Sequence, residues 1–358
     1  MHKININFTK QNHGYEIYIG EKLLEKLHDL LDINKYSKTV VVTDENIAPH
    51  FLAIVLKSLP KETKKLILPS GEKTKNISTV EKIWTFLKES NCDRKSLVIN
   101  LGGGVITDMG GFAAATYMRG IDFINIPTTL LSQVDASVGG KTGIDFTGIK
   151  NLIGTFTQPK RIIIDIQTLR TLPEREFLSG FAEIIKHGII FDKNYFAEVT
   201  GKKPREFNEE ELIDIITKSC NIKKSIIQND EEESGKRKLL NFGHTIGHAI
   251  EALTLETDSP LLHGEAVSIG MIAEAKIAEL TNLIDKNIFM QIETSLKNAG
   301  LPVSISNLKT NDLLIKMQTD KKNERGIINF TLINKIGEAI FDQKVDNEII
   351  IKAVQYVL

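Results

Sequence analysis

The stretch Ser96-Leu-Val-Ile-Asn-Leu-Gly-Gly-Gly104 decides the class of fold. Its first six residues form a compact apolar run typical of a buried strand, and a helical pattern follows the glycines. Glycine adopts backbone angles that other residues avoid and lets a phosphate approach the main chain, while the first N–H groups of a helix attract the anion. The full G-x-G-x-x-G spacing is missing, because Thr107 takes the place of the third glycine. A dinucleotide site and a plain strand-to-helix turn therefore both stay open.

Short apolar runs and helical patterns alternate on both sides of this turn. Further strands are predicted at 39–43, 65–68, 123–126 and 161–165. This alternation predicts a mainly parallel sheet with helices on both faces. Long helical patterns follow at 174–191, 209–228, 237–255, 263–281, 286–299 and 309–318, and a small hairpin is predicted from 327–332 and 337–341. We expect an α/β N-terminal domain over 1–172 and a mostly α-helical domain over 173–358.

The composition is that of an ordinary globular protein. Of its 358 residues, 41% are hydrophobic and 25% are charged, and 45 Lys and Arg against 46 Asp and Glu give a net charge of −1. This balance gives no support for a nucleic-acid or anionic-membrane partner. Cys92 and Cys220 are too few and too far apart for a disulfide framework. With no signal-peptide pattern and no apolar run near roughly 18 residues, we expect a cytoplasmic protein.

The stretch Arg237-Lys-Leu-Leu-Asn-Phe-Gly-His-Thr-Ile-Gly-His-Ala-Ile-Glu251 carries His244 and His248, two of the eight histidines of the chain. On a helix, residues four apart lie on one face, so the two imidazoles could bind one transition metal. His263 follows closely in the next helical pattern. The alternative is that each histidine is a core residue satisfied by a neighbour, but three polar rings between apolar runs favour a metal site.

The segment between Arg119 and Asn151 is rich in glycine and threonine, and its charged residues include Asp135, Lys141 and Lys150. We expect a loop whose backbone donors and lysine charge bind an anion. A flexible surface loop is the alternative, but apolar residues continue through the segment at 130, 131, 134 and 138. Gly139-Gly-Lys-Thr142 lacks the earlier glycine of a P-loop, so that interpretation is rejected.

A helical pattern at 179–188 places Glu183 and Lys186 three residues apart on one face, among isoleucines and phenylalanine. On a polar surface such a pair would be an ion pair worth a few tenths of a kcal/mol. Inside an apolar helix the carboxylate needs a partner, and coordination of a metal is one way to supply it.

At these residues the chain resembles the 3-dehydroquinate synthases, a family of sugar phosphate cyclases. The similarity runs from Thr43 to Lys322. No single block is specific, but the set is. The blocks are Gly102-Gly-Gly-Val-Ile-Thr-Asp108, Arg119-Gly120, Pro127-Thr-Thr-Leu-Leu131, Val134-Asp-Ala-Ser-Val-Gly-Gly-Lys-Thr-Gly-Ile144, Lys150-Asn-Leu-Ile-Gly154, Ala182-Glu-Ile-Ile-Lys186, Leu240-Asn-Phe-Gly-His-Thr-Ile-Gly-His-Ala-Ile-Glu251 and Leu262-His-Gly-Glu-Ala-Val267.

The resemblance implies conversion of 3-deoxy-D-arabino-heptulosonate 7-phosphate, a sugar-acid phosphate, to 3-dehydroquinate and phosphate in the shikimate pathway. The steps are transient oxidation by NAD⁺, phosphate elimination, re-reduction and intramolecular aldol cyclisation. A divalent metal, zinc or cobalt, is implied in the helical domain. Its ligands are Glu183, His244 and His263, a set typical of catalytic zinc. The resemblance thus divides the histidine pair and assigns His248 to substrate and proton transfer.

The resemblance also assigns the remaining site residues and implies a homodimer. The NAD⁺ pocket draws on Asp44, Asn46, Glu72, Lys75, Gly103, Gly104, Asp108, Thr128, Thr129, Lys150, Thr168, Leu169, Arg170 and Thr171. Substrate contacts are Arg119, Asp135, Lys141, Asn151, Lys186, Lys223, Arg237, Asn241 and His248, with Lys321 or Lys322. The catalytic candidates are Lys186, His248, Asp135, Lys141 and Glu233.

The chain departs from the family pattern at two places, and three alternative functions stay open. Lys224-Ser225 and Asp230-Glu-Glu-Glu233 differ from the usual residues, which leaves the role of Glu233 open between catalysis and structure. The alternative functions are another sugar phosphate cyclase, a metal-dependent polyol dehydrogenase of the same superfold, and a catalytically silent NAD- or metal-binding module.

Overall fold

The computed structural model describes residues 1–8, 13–255, 257–318 and 328–358. The chain forms two compact units. The first comprises Met1–Pro173 with Leu212–Glu232, and the second comprises Glu174–Glu211 with Glu233–Leu358. Among the described residues, no helix has the length and apolar composition required to cross a membrane.

The strands and helices are numbered in chain order. The strands are β1 His2–Phe8, β2 His13–Gly20, β3 Thr39–Asp44, β4 Lys64–Leu68, β5 Leu97–Gly102, β6 Asp122–Pro127, β7 Lys141–Phe146, β8 Ile149–Phe156, β9 Arg161–Asp165, β10 Asn329–Lys335 and β11 Glu338–Lys344. The α-helices are α1 Leu27–Leu30, α2 Ala53–Lys57, α3 Ile77–Glu89, α4 Gly104–Thr116, α5 Glu174–Phe191, α6 Lys193–Val199, α7 Glu209–Ile227, α8 His244–Thr254, α9 His263–Leu280, α10 Lys286–Asn298, α11 Thr310–Gln318 and α12 Asn347–Val357.

The first unit is built on a seven-stranded sheet in the order β1-β2-β9-β6-β5-β3-β4. The six strands β2, β9, β6, β5, β3 and β4 pair in parallel in that order, and β1 at the edge pairs antiparallel with β2. Val41 packs on one face with α1 and α2, and Val40 packs on the other with α3 and α4. The predicted parallel sheet with two covered faces is therefore confirmed. The sequence patterns did not predict β1 and β2, although 3–8 alternates polar and apolar residues.

Residues 212–232, which include most of α7, belong to the first unit although the sequence patterns grouped them with the helical domain. Two side chains show why. Cys220 Sγ donates to the Gln133 carbonyl oxygen at 3.5 Å, and Lys223 Nζ lies 2.5 Å from both the carbonyl oxygen and Oδ1 of Asp135. A helical period identifies an apolar face but not the partner that covers it. The functional division at residue 172 stays a prediction.

The segment expected to be an anion-binding loop is instead largely ordered structure. Ser132–Ala136 forms one π-helical turn, and β7 and β8 form an antiparallel hairpin. The hairpin forms because Thr142 and Ile144 alternate inward against α4, where a Cβ on Gly111 would lie 2.5 Å from Thr142 Cγ2. The other strand is open to solvent: Phe156 is 47% exposed, and Ile149, Leu152 and Ile153 are also exposed.

The second unit is mostly helical, with the small predicted hairpin confirmed as β10 paired antiparallel to β11. Residue 327 of the predicted strand lies outside the described residues. The continuous helix expected at 237–255 is wrong, because a 3₁₀ helix Lys236–Asn241 is followed by a separate α8. Gly243 between them has φ +79°, and a Cβ there would lie 2.9 Å from the Val267 carbonyl oxygen. The helices α6 and α12 were not predicted.

Candidate metal, cofactor and substrate sites

Glycines let α5, α8 and α9 of the second unit touch through their backbones. A Cβ on Gly264 would lie 1.9 Å from the Ser179 carbonyl oxygen, and a Cβ on Gly270 would lie 2.0 Å from that of Gly243. Gly264 N–H also donates to Ser179 Oγ at 3.0 Å. No residue with a Cβ fits at these contacts. The glycines therefore set the distance between the helices that carry the metal candidates.

Glu183 on α5 and the first residues of α8 and α9, His244 and His263, converge in this unit. Glu183 Oε1 lies 3.8 Å from His244 Nε2 and 3.7 Å from His263 Nε2. Glu183 is fully buried, and its Oε1 accepts no hydrogen bond from the part of the chain that the structure describes. The potential ligand atoms of the three residues lie within 4.8 Å of one another. One divalent ion with bonds of about 2.1 Å fits these residues and would satisfy the buried carboxylate.

Both imidazoles are oriented by the nitrogen that points away from Glu183. His244 Nδ1 lies 3.1 Å from the Phe242 carbonyl oxygen, and His263 Nδ1 lies 3.3 Å from Glu251 Oε2. A hydrogen on each Nδ1 leaves the Nε2 lone pair for a metal. Glu251 has no predicted role among the sequence candidates. Its position seven residues after His244, on the same helix face, is the signal that could have found it.

Two further residues lie beside these ligands. Lys186 is buried and forms an ion pair with Glu183 Oε2. The ring centre of His248 lies 5.0 Å from that of His244 and 5.8 Å from that of His263. His248, Glu251 and His263 also form a second group of potential ligands. The assignment of His248 to substrate therefore stays a prediction.

A buried carboxylate fixes the start of α8. Glu274 Oε2 accepts the Gly243 N–H at 2.7 Å, and Oε1 accepts the Ile246 N–H at 3.3 Å. These N–H groups have no partner within the helix, and a negative charge is favourable at a helix N-terminus. Glu274 thus holds the break that makes His244 the first residue of its helix. Glu274 is not among the sequence candidates, although an acidic residue in an apolar helical run is a recognisable signal.

The remaining described site candidates of the second unit lie on or before the 3₁₀ helix Lys236–Asn241. Asn241 Nδ2 donates to Glu233 Oε1 at 2.7 Å, which brings together a substrate candidate and a catalytic candidate. Arg237 is buried. The two lysines 321 and 322 lie outside the described residues.

In the first unit, cofactor candidates follow the carboxyl ends of β3, β5 and β6, which are neighbours in the sheet. Asp44 Oδ1 accepts the N–H groups of Asn46 and Ile47 at 2.9 and 3.1 Å, and burial raises the pKa of Asp44. Gly104 begins α4 after Gly103. A Cβ on Gly103 would lie 3.0 Å from Thr129 Cγ2. Thr128 is buried, and its Oγ1 has no hydrogen-bond partner among the described residues. Such an edge is where open α/β sheets bind ligands.

A second group in this unit surrounds Lys75. Its Nζ is buried and donates to Asp108 Oδ2 and Asn151 Oδ1, both at 2.6 Å. Burial lowers the pKa of Lys75, but the charges of Asp108 and Glu72 outweigh it and leave the pKa above its usual value. Lys150 Nζ lies 3.5 Å from Glu72 Oε1. Asn151, predicted to contact substrate, therefore lies among predicted cofactor residues.

The other candidates of the first unit are dispersed. Lys141 is exposed at the start of β7, and Asp135 forms an ion pair with Lys223. Arg119 is exposed beyond the far end of α4, whose 13 residues at about 1.5 Å each separate it from the glycine turn.

After β9, residues 168–170 end the 3₁₀ helix Ile166–Arg170, and Thr171 caps it. Thr168 and Leu169 are buried, whereas Arg170 and Thr171 are exposed. Thr168 Oγ1 donates to the Asp165 carbonyl oxygen at 2.8 Å and accepts from Gln133 Nε2 at 3.0 Å. The Thr168 side chain therefore has partners inside the unit.

Known proteins are similar to this chain over nearly its whole length. Models described as 3-dehydroquinate synthase N-terminal and C-terminal match residues 65–179 and 180–323. A 3-dehydroquinate synthase of Ruminiclostridium cellulolyticum is 41% identical over 358 residues, 99% of this chain and 98% of the relative. One of Alkaliphilus metalliredigens is 45% identical over 335 residues, 93% of this chain and 92% of the relative.

Solved structures share the fold. A crystal structure of 2-deoxy-scyllo-inosose synthase complexed with carbaglucose-6-phosphate, NAD⁺ and Co²⁺ has a TM-score of 0.90 at 24% identity, and the match covers 100% of both chains. The 2-epi-5-epi-valiolone synthase of Streptomyces hygroscopicus subsp. jinggangensis, with NAD⁺ and Zn²⁺ bound, has a TM-score of 0.87 at 25% identity over 97% of each chain. Both likenesses agree with the predicted fold class.

Proposed function

Since this chain belongs to the 3-dehydroquinate synthase family, we propose that it converts 3-deoxy-D-arabino-heptulosonate 7-phosphate to 3-dehydroquinate and phosphate, as a carbon–oxygen lyase. The observation that carries the proposal is the convergence of Glu183, His244 and His263, with both imidazoles oriented through Nδ1. One carboxylate and two imidazoles leave coordination positions for a substrate, as catalytic zinc sites do.

Two groups supply the chemistry that side chains lack. A divalent ion, zinc or cobalt, held by Glu183, His244 and His263 supplies Lewis acidity that favours loss of a proton from a substrate hydroxyl. NAD⁺ would supply hydride transfer. We assign NAD⁺ to the first unit, at the carboxyl edge of the sheet and the start of α4, and the ion to the second unit.

We assign proton transfer and substrate orientation to side chains of the protein. His248 is partly exposed beside both metal-ligand rings, and we assign it proton transfer, since imidazole titrates in the useful range. Lys186 directs its charge at the buried Glu183 carboxylate and is assigned to substrate orientation. Glu233 remains a second proton-transfer candidate, held by Asn241.

The phosphate and carboxylate of the substrate require cations. We assign this binding to Arg119, Lys141, Lys223 and Arg237, with Lys321 or Lys322. Arginine suits planar anions through two parallel hydrogen bonds, and lysine acts as a point charge. Asp135 is an acceptor for substrate hydroxyls, and Lys223 fixes its carboxylate at 2.5 Å.

The decisive experiment measures phosphate release from the heptulosonate phosphate by the purified protein with NAD⁺, with and without a metal chelator. We expect release that the chelator abolishes and added zinc or cobalt restores. Absence of metal-dependent release would overturn the proposal. Turnover of sugar phosphates without a carboxylate would favour another cyclase, and NADH accumulating with glycerol would favour a polyol dehydrogenase.

Two properties accompany this function as proposals. We propose that the protein acts as a homodimer in the cytoplasm. Sedimentation equilibrium is expected to give twice the mass of one 40.0 kDa chain at micromolar concentration. A single species of monomer mass would contradict the dimer without affecting the reaction.

A further inference from the structure

The two imidazoles of the proposed metal site are oriented by different acceptors. His244 Nδ1 faces the backbone carbonyl of Phe242 at 3.1 Å, which any residue at that position would supply. His263 Nδ1 faces a side chain, the carboxylate of Glu251, at 3.3 Å. Only the second contact depends on the type of one amino acid.

We infer that Glu251 is a positioning residue, which holds His263 in the tautomer that binds metal and sets the affinity of the site for its divalent ion. This inference rests on the proposed function. A neutral imidazole carries its proton on either nitrogen, and an ionised carboxylate only accepts hydrogen bonds. Glu251 therefore favours the proton on Nδ1. The Nε2 lone pair is left facing Glu183 Oε1 at 3.7 Å.

The burial of Glu251 supports a dedicated role. The residue is 4% exposed and follows Ala249 and Ile250, which are buried on α8. A carboxylate in such surroundings is costly unless a donor compensates it. It lies about two turns beyond His244 on the same face, roughly 10 Å along the axis. One helix therefore supplies a ligand at its start and, further along, the orienting partner of a ligand on α9.

The test compares zinc affinity, by competition with a chromophoric chelator, in wild type, Glu251→Gln and Glu251→Ala. The glutamine keeps the shape and one acceptor oxygen but loses the charge, so we expect about 10-fold weaker binding. The alanine loses both, and we expect up to about 100-fold weaker binding. The visible absorption of the Co²⁺-substituted protein is expected to change in the same order, which a purely structural defect elsewhere would not produce.

Glu265→Gln is the matched control, because it alters a carboxylate in the first turn of α9, where His263 also lies. Glu265 accepts the Leu262 N–H at 2.7 Å and pairs with Arg175. We expect its zinc affinity to stay within about twofold of wild type. Wild-type affinity in Glu251→Ala, or equal losses in the control, would overturn the inference. Failure of the wild type to bind zinc would instead overturn the proposed metal site.

A second measurement needs no variant. Nitrogen-15 NMR of the metal-free wild-type protein at pH 8 reports the tautomer of each neutral histidine. We expect His263 to carry its proton on Nδ1. A proton on Nε2 would show that Glu251 does not select the tautomer, whether or not the variants fold.

Discussion

The two units build their candidate sites in different ways. In the first, Asp44, Gly103 and Thr128 follow adjacent strands, and the hydrogen bonds of the sheet align these strand ends. In the second, Glu183, His244 and His263 come from three helices that glycines bring into contact. A site made of strand ends and backbone spreads its binding over many groups, whereas a metal site depends on each ligand. Variants should therefore affect the two units separately and unequally.

The largest effect is expected at the metal site. His263→Ala removes a proposed ligand, so the purified protein should lose bound zinc and nearly all phosphate release. His248→Ala should keep the zinc and lose roughly 10²-fold or more in rate, because it removes proton transfer alone. Metal analysis and a phosphate-release assay decide between them. Equal zinc loss in both variants would make His248 a ligand.

Helix contact in the second unit provides the next test. Gly264→Ala would place a Cβ 1.9 Å from the Ser179 carbonyl oxygen, and the backbone must shift to relieve it. We expect a loss of about 4 kcal/mol in the free energy of unfolding. Gly104→Ala in the first unit is the control, because its Cβ would meet Ala136 Cβ at an ordinary 3.4 Å and should change stability by less than about 0.5 kcal/mol. Urea unfolding measures both, and similar losses would contradict the close-contact argument.

A smaller effect is expected from Lys75→Met in the first unit. The change leaves the Asp108 carboxylate without its lysine partner, which should cost roughly 3 kcal/mol and weaken NAD⁺ binding. Zinc affinity should not change. Adding Asp108→Asn should recover part of the stability, because the carboxylate charge is then gone. Altered zinc affinity would show that the two units do not respond separately.

The smallest effect concerns the pH dependence of stability at Asp44. Burial raises its pKa in the folded state, so stability is fully present below the unfolded pKa and is lost as pH rises through the folded pKa. In urea unfolding without NAD⁺, wild type should therefore lose stability relative to Asp44→Asn between pH 3.5 and 7, by less than about 1 kcal/mol. The opposite slope would mean that the N–H groups of Asn46 and Ile47 outweigh burial.

The same difference between the units explains what the sequence could predict. Strand-to-helix turns such as 96–104 have a local signal, so the parallel sheet and its glycine turn followed from short windows. The contact of Gly264 with Ser179 joins residues 85 positions apart and has no local signal. The apolar pattern of 237–255 has a helical period that continues through Gly243. The positive φ of Gly243 nevertheless separates the 3₁₀ helix from α8. Glu251 and Glu274 carry a sequence signal as acidic residues on apolar helices, but their roles depend on partners that become known only when the helices pack.

The exposed side of the β7–β8 hairpin has a consequence for handling the protein. Phe146 and Phe156 are 42% and 47% exposed, and Ile149, Leu152 and Ile153 of β8 are exposed as well. Colloidal stability relies on mutual repulsion, and this chain carries a net charge of −1 with an isoelectric point near 6.7. Near neutral pH, precipitation should therefore set in at lower protein concentration than at pH 8.5, and Ile153→Lys should raise the solubility limit.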